Sequence, residues 1–348
     1  MKKLLILTLG CLLFSNSCAA YARDVIVGVD IANNDGSLSA AFQDEEIQQL
    51  VESHVTMVRI GLASYNMDFI IKAYQHGIGS IVVVMPFLGA KSWSDVIYSK
   101  TTPEVFIPRV KPMLDKLEAA GVRLTAFELG NEVNTSRFNG DLPTVGKGRE
   151  LHLADLNNPN DSEASQVAMG YKAYVRLMAA LKDLRDHSRL NQHTPVITAG
   201  LAQPYSSPFE VAIRDTIQFW NQNGIDKLVD GYGMHVYPSG DPQRPVSARI
   251  ASLDKDLFSA CSSSKPCWIT EWGFRVVGQD GQYCDNNPVI TKVIKDMRTA
   301  FSHFAARGQL AALAYYDWTA GPGAQDTQGV YRCGALTDYG KLALSPMQ

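Results

Sequence analysis

Short apolar runs alternate with amphipathic stretches along most of the chain, and this alternation predicts strands that are each followed by a helix. The apolar runs, which are rich in β-branched residues, lie at 25–30, 56–61, 80–86, 123–129, 195–199, 231–235, 266–270 and 310–316. The stretches with helical spacing lie at 44–53, 68–75, 108–120, 166–186, 208–223, 246–260 and 289–306, with a short one at 338–344.

The predicted strands are apolar almost throughout, which is typical of a parallel sheet that helices cover on both faces. Eight such strand and helix units in one chain predict an α/β fold, a single-domain (β/α)8 TIM barrel over 23–348. An open doubly wound sheet is the alternative, although no GxGxxG motif follows the first strand. No repeat or linker indicates a second domain.

The first residues have the pattern of a secretory signal peptide over 1–22. A basic start precedes an apolar run at 4–14, and small residues flank Tyr21. We therefore predict cleavage near Ala22 and a secreted or periplasmic protein. The alternatives are an ordinary first element and a lipoprotein leader ending at Cys18, which lacks the usual leucine. The apolar run is shorter than the roughly 20 residues that cross a bilayer, and we expect no membrane segment.

Composition and charge are those of an ordinary globular protein, with 46% hydrophobic and 19% charged residues. The leader holds two lysines and no acidic residue, so its removal takes the net charge from −3 to −5. No basic excess remains to attract nucleic acid or anionic lipid, and we expect neither as a partner. We expect a monomer.

The mature chain keeps four cysteines, and an even number in an exported protein predicts two disulfides. We favour the pairs Cys261–Cys267 and Cys284–Cys333, although four cysteines permit three pairings. Zinc binding is the alternative, but the sequence has no CxxC pair with nearby histidines. We expect no metal and no cofactor.

Polar and aromatic residues stand at or near the ends of several predicted strands. All strands of a barrel end at one face, where barrel enzymes place their active sites. Any one of these residues is a weak signal, but together they would surround one mouth of the barrel. The residues are Arg59, Asn131, Glu132, His235, Tyr237, Glu271, Trp272, Asp317 and Trp318.

Two of these residues, Glu132 and Glu271, follow the fourth and seventh strands, on opposite sides of a closed barrel. Two carboxyl groups about 5–5.5 Å apart suit retaining glycoside hydrolysis, with one as nucleophile and the other as acid/base. The alternative is a structural ion pair with Arg59. Glu128 is a further candidate carboxylate, which we rank below Glu132 because it lies inside the predicted strand.

Four motifs carry a resemblance to the glycoside hydrolases of clan A: GNE at 130–132, HVY at 235–237, TEWGF at 270–274 and YYDW at 315–318. Those enzymes are retaining (β/α)8 hydrolases with an Asn-Glu pair after strand four and a nucleophilic glutamate on strand seven. The resemblance covers most of the mature chain in layout and is specific only at these motifs. Many members have proline where this chain has Val133, which weakens assignment to the large cellulase family. Smaller families remain open, including those acting on bacterial exopolysaccharides.

The resemblance implies roles for five residues at the barrel mouth. Glu132 would be the acid/base and Glu271 the nucleophile. Asn131 would hydrogen-bond the 2-hydroxyl of the sugar, and Tyr237 and Arg59 would orient Glu271 and keep it ionised.

Further residues are candidates for binding or supporting the substrate. His235 would bind sugar or support the carboxylate pair, with a structural histidine as the alternative. Trp318 would form a floor under the sugar. Trp272 would bind or support the substrate. Trp93 and Tyr205, after strands three and five, would line further subsites.

A long connection at 134–164 follows strand four on the same face and is longer than most loops. We expect it to form a wall or lid of the binding site, with a solvated excursion as the alternative. Its acidic residues Asp155 and Asp161 and the amide of Asn157 could bind calcium, but the glycine and the closing glutamate of such a loop are missing.

The function that we predict is retaining hydrolysis of β-glycosidic bonds in a polysaccharide or oligosaccharide, with cleavage inside the glycan. The alternatives are an exo-acting β-glycosidase of the same clan and a non-catalytic carbohydrate-binding protein on this scaffold. A metal-dependent barrel hydrolase is disfavoured because the sequence has no HxH or HExxH motif.

Overall fold

The structure, a computed structural model, describes residues 24–31, 39–86, 96–143, 148–203, 209–238, 245–274, 287–319 and 329–347. Its centre is one sheet of eight parallel strands. The strands are β1 Ile26–Asp30, β2 Met57–Gly61, β3 Gly79–Val84, β4 Ala126–Asn131, β5 Val196–Gly200, β6 Tyr232–Val236, β7 Cys267–Trp272 and β8 Leu310–Tyr316.

The sheet closes on itself into a barrel. Its hydrogen-bonded order is β5-β4-β3-β2-β1-β8-β7-β6. Parallel bridges then join the two ends of this order, because Ile197 pairs with Gly231 and Leu201 with Met234. The predicted (β/α)8 barrel is therefore confirmed.

A helix follows each barrel strand and packs outside the wall. The eight helices are α1 Ala40–Glu52, α2 Met67–Gln75, α3 Pro103–Ala119, α4 Ser162–Asp186, α5 Ile213–Gln222, α6 Val246–Ala251, α7 Pro288–Ala306 and α8 Asp338–Leu344. The other described elements include short helices at Leu153–Leu156 and Leu253–Asp256. They also include a hairpin of Tyr331–Arg332 with Ala335–Leu336. Among the described helices, none has the length and apolarity needed to cross a membrane.

Two helices begin at other residues than the pattern predicted. Helix α3 begins at Pro103, upstream of 108, because Thr102 is extended and proline suits the first turn of a helix. Helix α5 begins at Ile213 because the preceding residues, Phe209–Val211, form a strand that pairs in parallel with Arg149–Leu151.

The barrel interior is apolar at the end where the strands enter and polar at the end where they leave. Trp268 fills the entry end together with Met57, Ile81, Ala126, Ile197, Ala312 and Ala314. Strands β1 and β2 approach closely at Gly28, where an added Cβ would lie 2.0 Å from the carbonyl oxygen of Met57. The buried polar residues above this plug include Arg59, Glu128 and His235, so they face the predicted site.

Candidate active site

The guanidinium of Arg59 is the centre of a buried polar network. Its Nε donates to Glu128 Oε2 at 2.7 Å, and Nη2 donates to Glu128 Oε1 at 3.2 Å and to Asn131 Oδ1 at 2.7 Å. Its Nη1 donates to Asp30 Oδ2 at 2.5 Å and to Glu271 Oε1 at 2.7 Å. Burial lowers the pKa of Arg59, but Glu128, Asp30 and Glu271 outweigh it and hold the pKa above its ordinary value. Arg59 is therefore a permanent cation beneath the barrel mouth.

Glu271, near the end of β7, accepts a hydrogen bond at each carboxylate oxygen. Arg59 donates to Oε1, and the Tyr237 hydroxyl donates to Oε2 at 2.7 Å. Burial raises the pKa of Glu271, but His235, Arg59 and Tyr237 outweigh it and hold the pKa below its usual range. The side chain keeps 12% of its surface exposed. Glu271 is thus an ionised carboxylate that a ligand in the mouth can reach.

Glu132 lies across the mouth from Glu271, directly after β4. The chain turns there through two left-handed residues, with φ of 81° at Gly130 and 40° at Glu132. Such a backbone is uncommon for a glutamate, and strained residues of this kind cluster at functional sites. Glu132 and Glu271 have carboxylate oxygens within 4.8 Å of each other. This separation is close to the roughly 5–5.5 Å of retaining glycosidases and shorter than the roughly 6.5–9.5 Å of inverting ones.

His235 joins the two carboxylates from β6. Its Nδ1 lies 2.9 Å from Glu132 Oε1 and 3.4 Å from Glu271 Oε2. Burial lowers the pKa of His235, but Glu271 and Glu132 outweigh it and raise the pKa above its ordinary value. The ring lies against β5, where a Cβ added to Gly200 would meet Nε2 at 2.0 Å. With 1% exposure, His235 supports the carboxylate pair rather than offering a surface to a sugar.

The same three side chains, Glu132, His235 and Glu271, place ligand atoms within 4.8 Å of one another, close enough to hold a metal ion. Their hydrogen bonds to each other and to Arg59 and Tyr237 account for the arrangement without one.

Two tryptophans that we predicted to bind substrate are fully buried, so that part of the prediction is wrong. Trp272 follows Glu271 on β7, and successive side chains of a strand face opposite sides. Its ring therefore packs edge-on against Phe301 at 5.2 Å, outside the barrel wall. Trp318 stacks on Tyr331 at 4.9 Å. With both tryptophans at 0% exposure, neither has a ring face that a sugar can reach.

Among the described residues, a partly exposed aromatic side chain at the mouth is that of Tyr316, the last residue of β8. Its ring meets that of Tyr237 edge-on with centroids 6.1 Å apart. The peptide bond that follows it, Tyr316–Asp317, is cis. Tyr316 was not among the predicted site residues, although it stands inside the YYDW motif. Asp30, which ends the first predicted strand and binds Arg59, was not among them either.

Several predictions concern residues outside the part of the chain that the structure describes. Trp93, Tyr205 and Cys284 lie there. The disulfide Cys261–Cys267 is confirmed, with Cα atoms 5.5 Å apart. Cys333 is also disulfide-bonded, and its pairing with Cys284 stays a prediction.

The connection at 134–164 is fastened to its neighbour on the strand-exit face at its first residue, and its role as a wall or lid stays a prediction. Asn134 is fully buried, and its Nδ2 donates to the carbonyl oxygens of Ala202 and Val211 at 2.8 and 3.0 Å. Its Oδ1 accepts from the N–H of Ala202 at 3.0 Å. These bonds fasten the loop after β4 to the loop after β5. Asp161, which we considered as a calcium ligand, caps α4 and binds Arg149.

The sequence matches no family profile and no curated protein. The structure is similar to solved enzymes of one architecture. A structure from a study of two fungal β-1,4-galactanases is 13% identical, with a TM-score of 0.59 over 92% of this chain and 99% of the other. A β-glucosidase variant from Trichoderma harzianum is 11% identical, with a TM-score of 0.60 over 92% and 97%. An endo-β-1,3-glucanase from Sorangium cellulosum is 11% identical, with a TM-score of 0.52 over 92% and 98%. The chain therefore has the (β/α)8 barrel fold that these three glycoside-cleaving enzymes share.

Proposed function

We propose that this protein is a retaining glycoside hydrolase that cleaves β-glycosidic bonds inside a polysaccharide or oligosaccharide. The observation that carries the proposal is the pair Glu132 and Glu271, whose carboxylates face each other within 4.8 Å at the barrel mouth. Their partners differ, since Arg59 and Tyr237 bind Glu271 while His235 binds Glu132. Different environments suit the two different tasks that double displacement requires.

In the first step, Glu271 attacks the anomeric carbon and forms a glycosyl ester. The bond to the leaving oxygen breaks as that oxygen takes the proton of Glu132. In the second step, Glu132 removes a proton from water, and the water oxygen displaces Glu271 from the anomeric carbon. The sugar leaves with its original configuration, and both carboxyl groups return to their starting protonation states.

The neighbouring side chains supply positioning and charge. Arg59 and Tyr237 stabilise the carboxylate form of Glu271 before attack and again when it leaves. Asn131 is oriented by Arg59 to hydrogen-bond the sugar 2-hydroxyl. Tyr316 takes the role that we predicted for Trp318 and offers its partly exposed ring to the pyranose C–H face.

Similarity to a galactanase, a β-glucosidase and an endo-glucanase supports a β-linked glycan substrate without distinguishing among sugars. The direct test is incubation with a panel of β-glucans, mannans, xylans, galactans and bacterial exopolysaccharides. Products of intermediate length support internal cleavage, whereas release of single sugars from one end would indicate an exo-acting enzyme.

Glu271→Gln is the matched variant for this panel. It keeps the size of the side chain but removes the nucleophile, so we expect a folded protein with no measurable turnover. Proton NMR of the first product provides the second test. An inverted anomer would refute double displacement, and substantial turnover by the variant would refute Glu271 as the nucleophile.

We also propose that the protein is exported as a monomeric single-domain enzyme after cleavage near Ala22. The disulfide Cys261–Cys267 supports an oxidising compartment. Mass spectrometry of the N-terminus of protein recovered outside the cytoplasm tests this, and a retained Met1 would contradict it.

A further inference from the structure

Glu128 is a buried carboxylate for which the two displacement steps have no task. It lies on β4, with 0% of its surface exposed. Arg59 on β2 donates to both of its oxygens, at 2.7 and 3.2 Å. The N–H of Gly200 on β5 and the hydroxyl of Thr270 on β7 also donate to Oε1, at 2.8 and 2.9 Å. Burying a carboxylate is costly unless it is paired and hydrogen-bonded, and these donors meet that requirement.

The two bonds from Arg59 to Glu128 fix the plane of the guanidinium. A paired arrangement of this kind sets orientation as well as energy, because both donors belong to one rigid fork. With that plane fixed, Nη1 is directed at Glu271 Oε1 and Nη2 at Asn131 Oδ1, each at 2.7 Å. The contact from Nη1 to Asp30 alone would leave the guanidinium free to rotate about that contact.

We propose that Glu128 is a positioning residue, which holds the guanidinium of Arg59 so that Arg59 in turn orients the carboxylate of Glu271 and the amide of Asn131. The kinetic consequences rest on the proposed function, but the orientation of Arg59 does not require turnover. Glu128 also binds the N–H of Gly200, the residue against which the His235 ring packs. The Glu128 carboxylate therefore holds both the Arg59 guanidinium and the Gly200 backbone beside the site.

Positioning and simple charge have opposite effects on the ionisation of Glu271. Glu128→Gln removes a negative charge, which by itself favours ionised Glu271 and lowers its pKa. If Glu128 holds Arg59 in place, the same variant weakens the 2.7 Å contact to Glu271 and raises that pKa. Within the described part of the chain, the other groups facing Glu271 are Asp30, Glu132, His235 and Tyr237, and the substitution leaves them all present.

The experiment is a pH titration of Glu271 by ¹³C NMR in protein labelled at the glutamate side-chain carboxyls. The signal is assigned by its disappearance in Glu271→Gln. Loss of a charge-assisted hydrogen bond predicts that Glu128→Gln raises the midpoint by about one unit. A one-unit rise lowers the ionised fraction of Glu271 about 3-fold halfway between the two midpoints and nearly 10-fold well below both, so we expect kcat/KM to fall by about these factors.

A double-mutant cycle tests whether Glu128 acts through Arg59. In an Arg59→Lys background the fork is already lost, so Glu128→Gln should change kcat/KM little further. Glu118→Gln is the control. Glu118 accepts the Ser188 hydroxyl and the backbone N–H of Leu190 at the strand-entry end of the barrel. The Glu118→Gln variant should lower the unfolding midpoint of the protein without moving the pH midpoint of Glu271.

Glu128→Asp provides a second variant if the glutamine variant does not fold. It keeps the charge but shortens the side chain, so positioning predicts a raised midpoint and charge alone predicts no change. The proposal is overturned by a midpoint that falls in Glu128→Gln, by one that stays unchanged in either folded variant, or by additive effects in the cycle. If the wild-type protein cleaves no glycan, the proposed function fails, while the titration still decides the role of Glu128.

Discussion

Removal of one hydroxyl group, in Tyr237→Phe, tests how the network controls Glu271. The tyrosine donates to Glu271 Oε2 at 2.7 Å, the oxygen that Arg59 does not bind. A hydrogen bond to a charged group contributes about 1.5–3 kcal/mol, and one pKa unit corresponds to about 1.36 kcal/mol. The phenylalanine variant should therefore raise the pKa of Glu271 by about one to two units.

The assay is kcat/KM against pH on a glycan that the wild-type protein cleaves. Its acidic limb reports ionisation of the nucleophile in the free enzyme. The lost bond favoured the charged form, so the pKa rises and the acidic limb moves to higher pH. The control is Tyr232→Phe at the start of β6, the strand that Tyr237 follows, because the Tyr232 hydroxyl donates to the neutral amide of Asn221 at 3.0 Å. An acidic limb that stays in place in Tyr237→Phe, or moves to lower pH, would refute the claim that the Tyr237 hydroxyl stabilises ionised Glu271.

Two further predictions concern stability. Asn134→Ala leaves two carbonyls and one N–H of the loop after β5 without their partner, so denaturant unfolding should show that the free energy of unfolding falls by about 2–3 kcal/mol. The control is Asn157→Ala at an exposed position, which should lower it by less than about 0.5 kcal/mol. An equal loss in both variants would contradict the reasoning. Replacing Cys261 and Cys267 together by alanine opens a small loop with a sequence separation of 6 and should cost about 2 kcal/mol. Because the bridge lies at the strand-entry end, kcat/KM should not change, and a large loss of activity would count against this placement.

Much of the fold could be predicted because the elements of a parallel barrel have a strong local pattern. A strand that is covered on both faces is apolar throughout, so the run at 310–316 coincides with β8 and the helix predicted at 338–344 coincides with α8. The strand at Phe209–Val211 could not be predicted, because its partner lies 60 residues earlier at Arg149–Leu151. Pairing of this kind is decided by tertiary contacts rather than by local propensity.

The sequence by itself determined which two carboxylates form the candidate pair, since Glu132 and Glu271 stand in short polar motifs at the ends of apolar runs. Only the tertiary structure decided which neighbours join them. The direction of a side chain at a strand end depends on register and barrel closure, which turn Trp272 outward and leave Tyr316 at the mouth. Glu128 was visible in the sequence as a charge inside a strand, but its partner Arg59 lies 69 positions away. A buried ion pair between distant strands becomes defined only when the closed barrel brings both side chains into one interior.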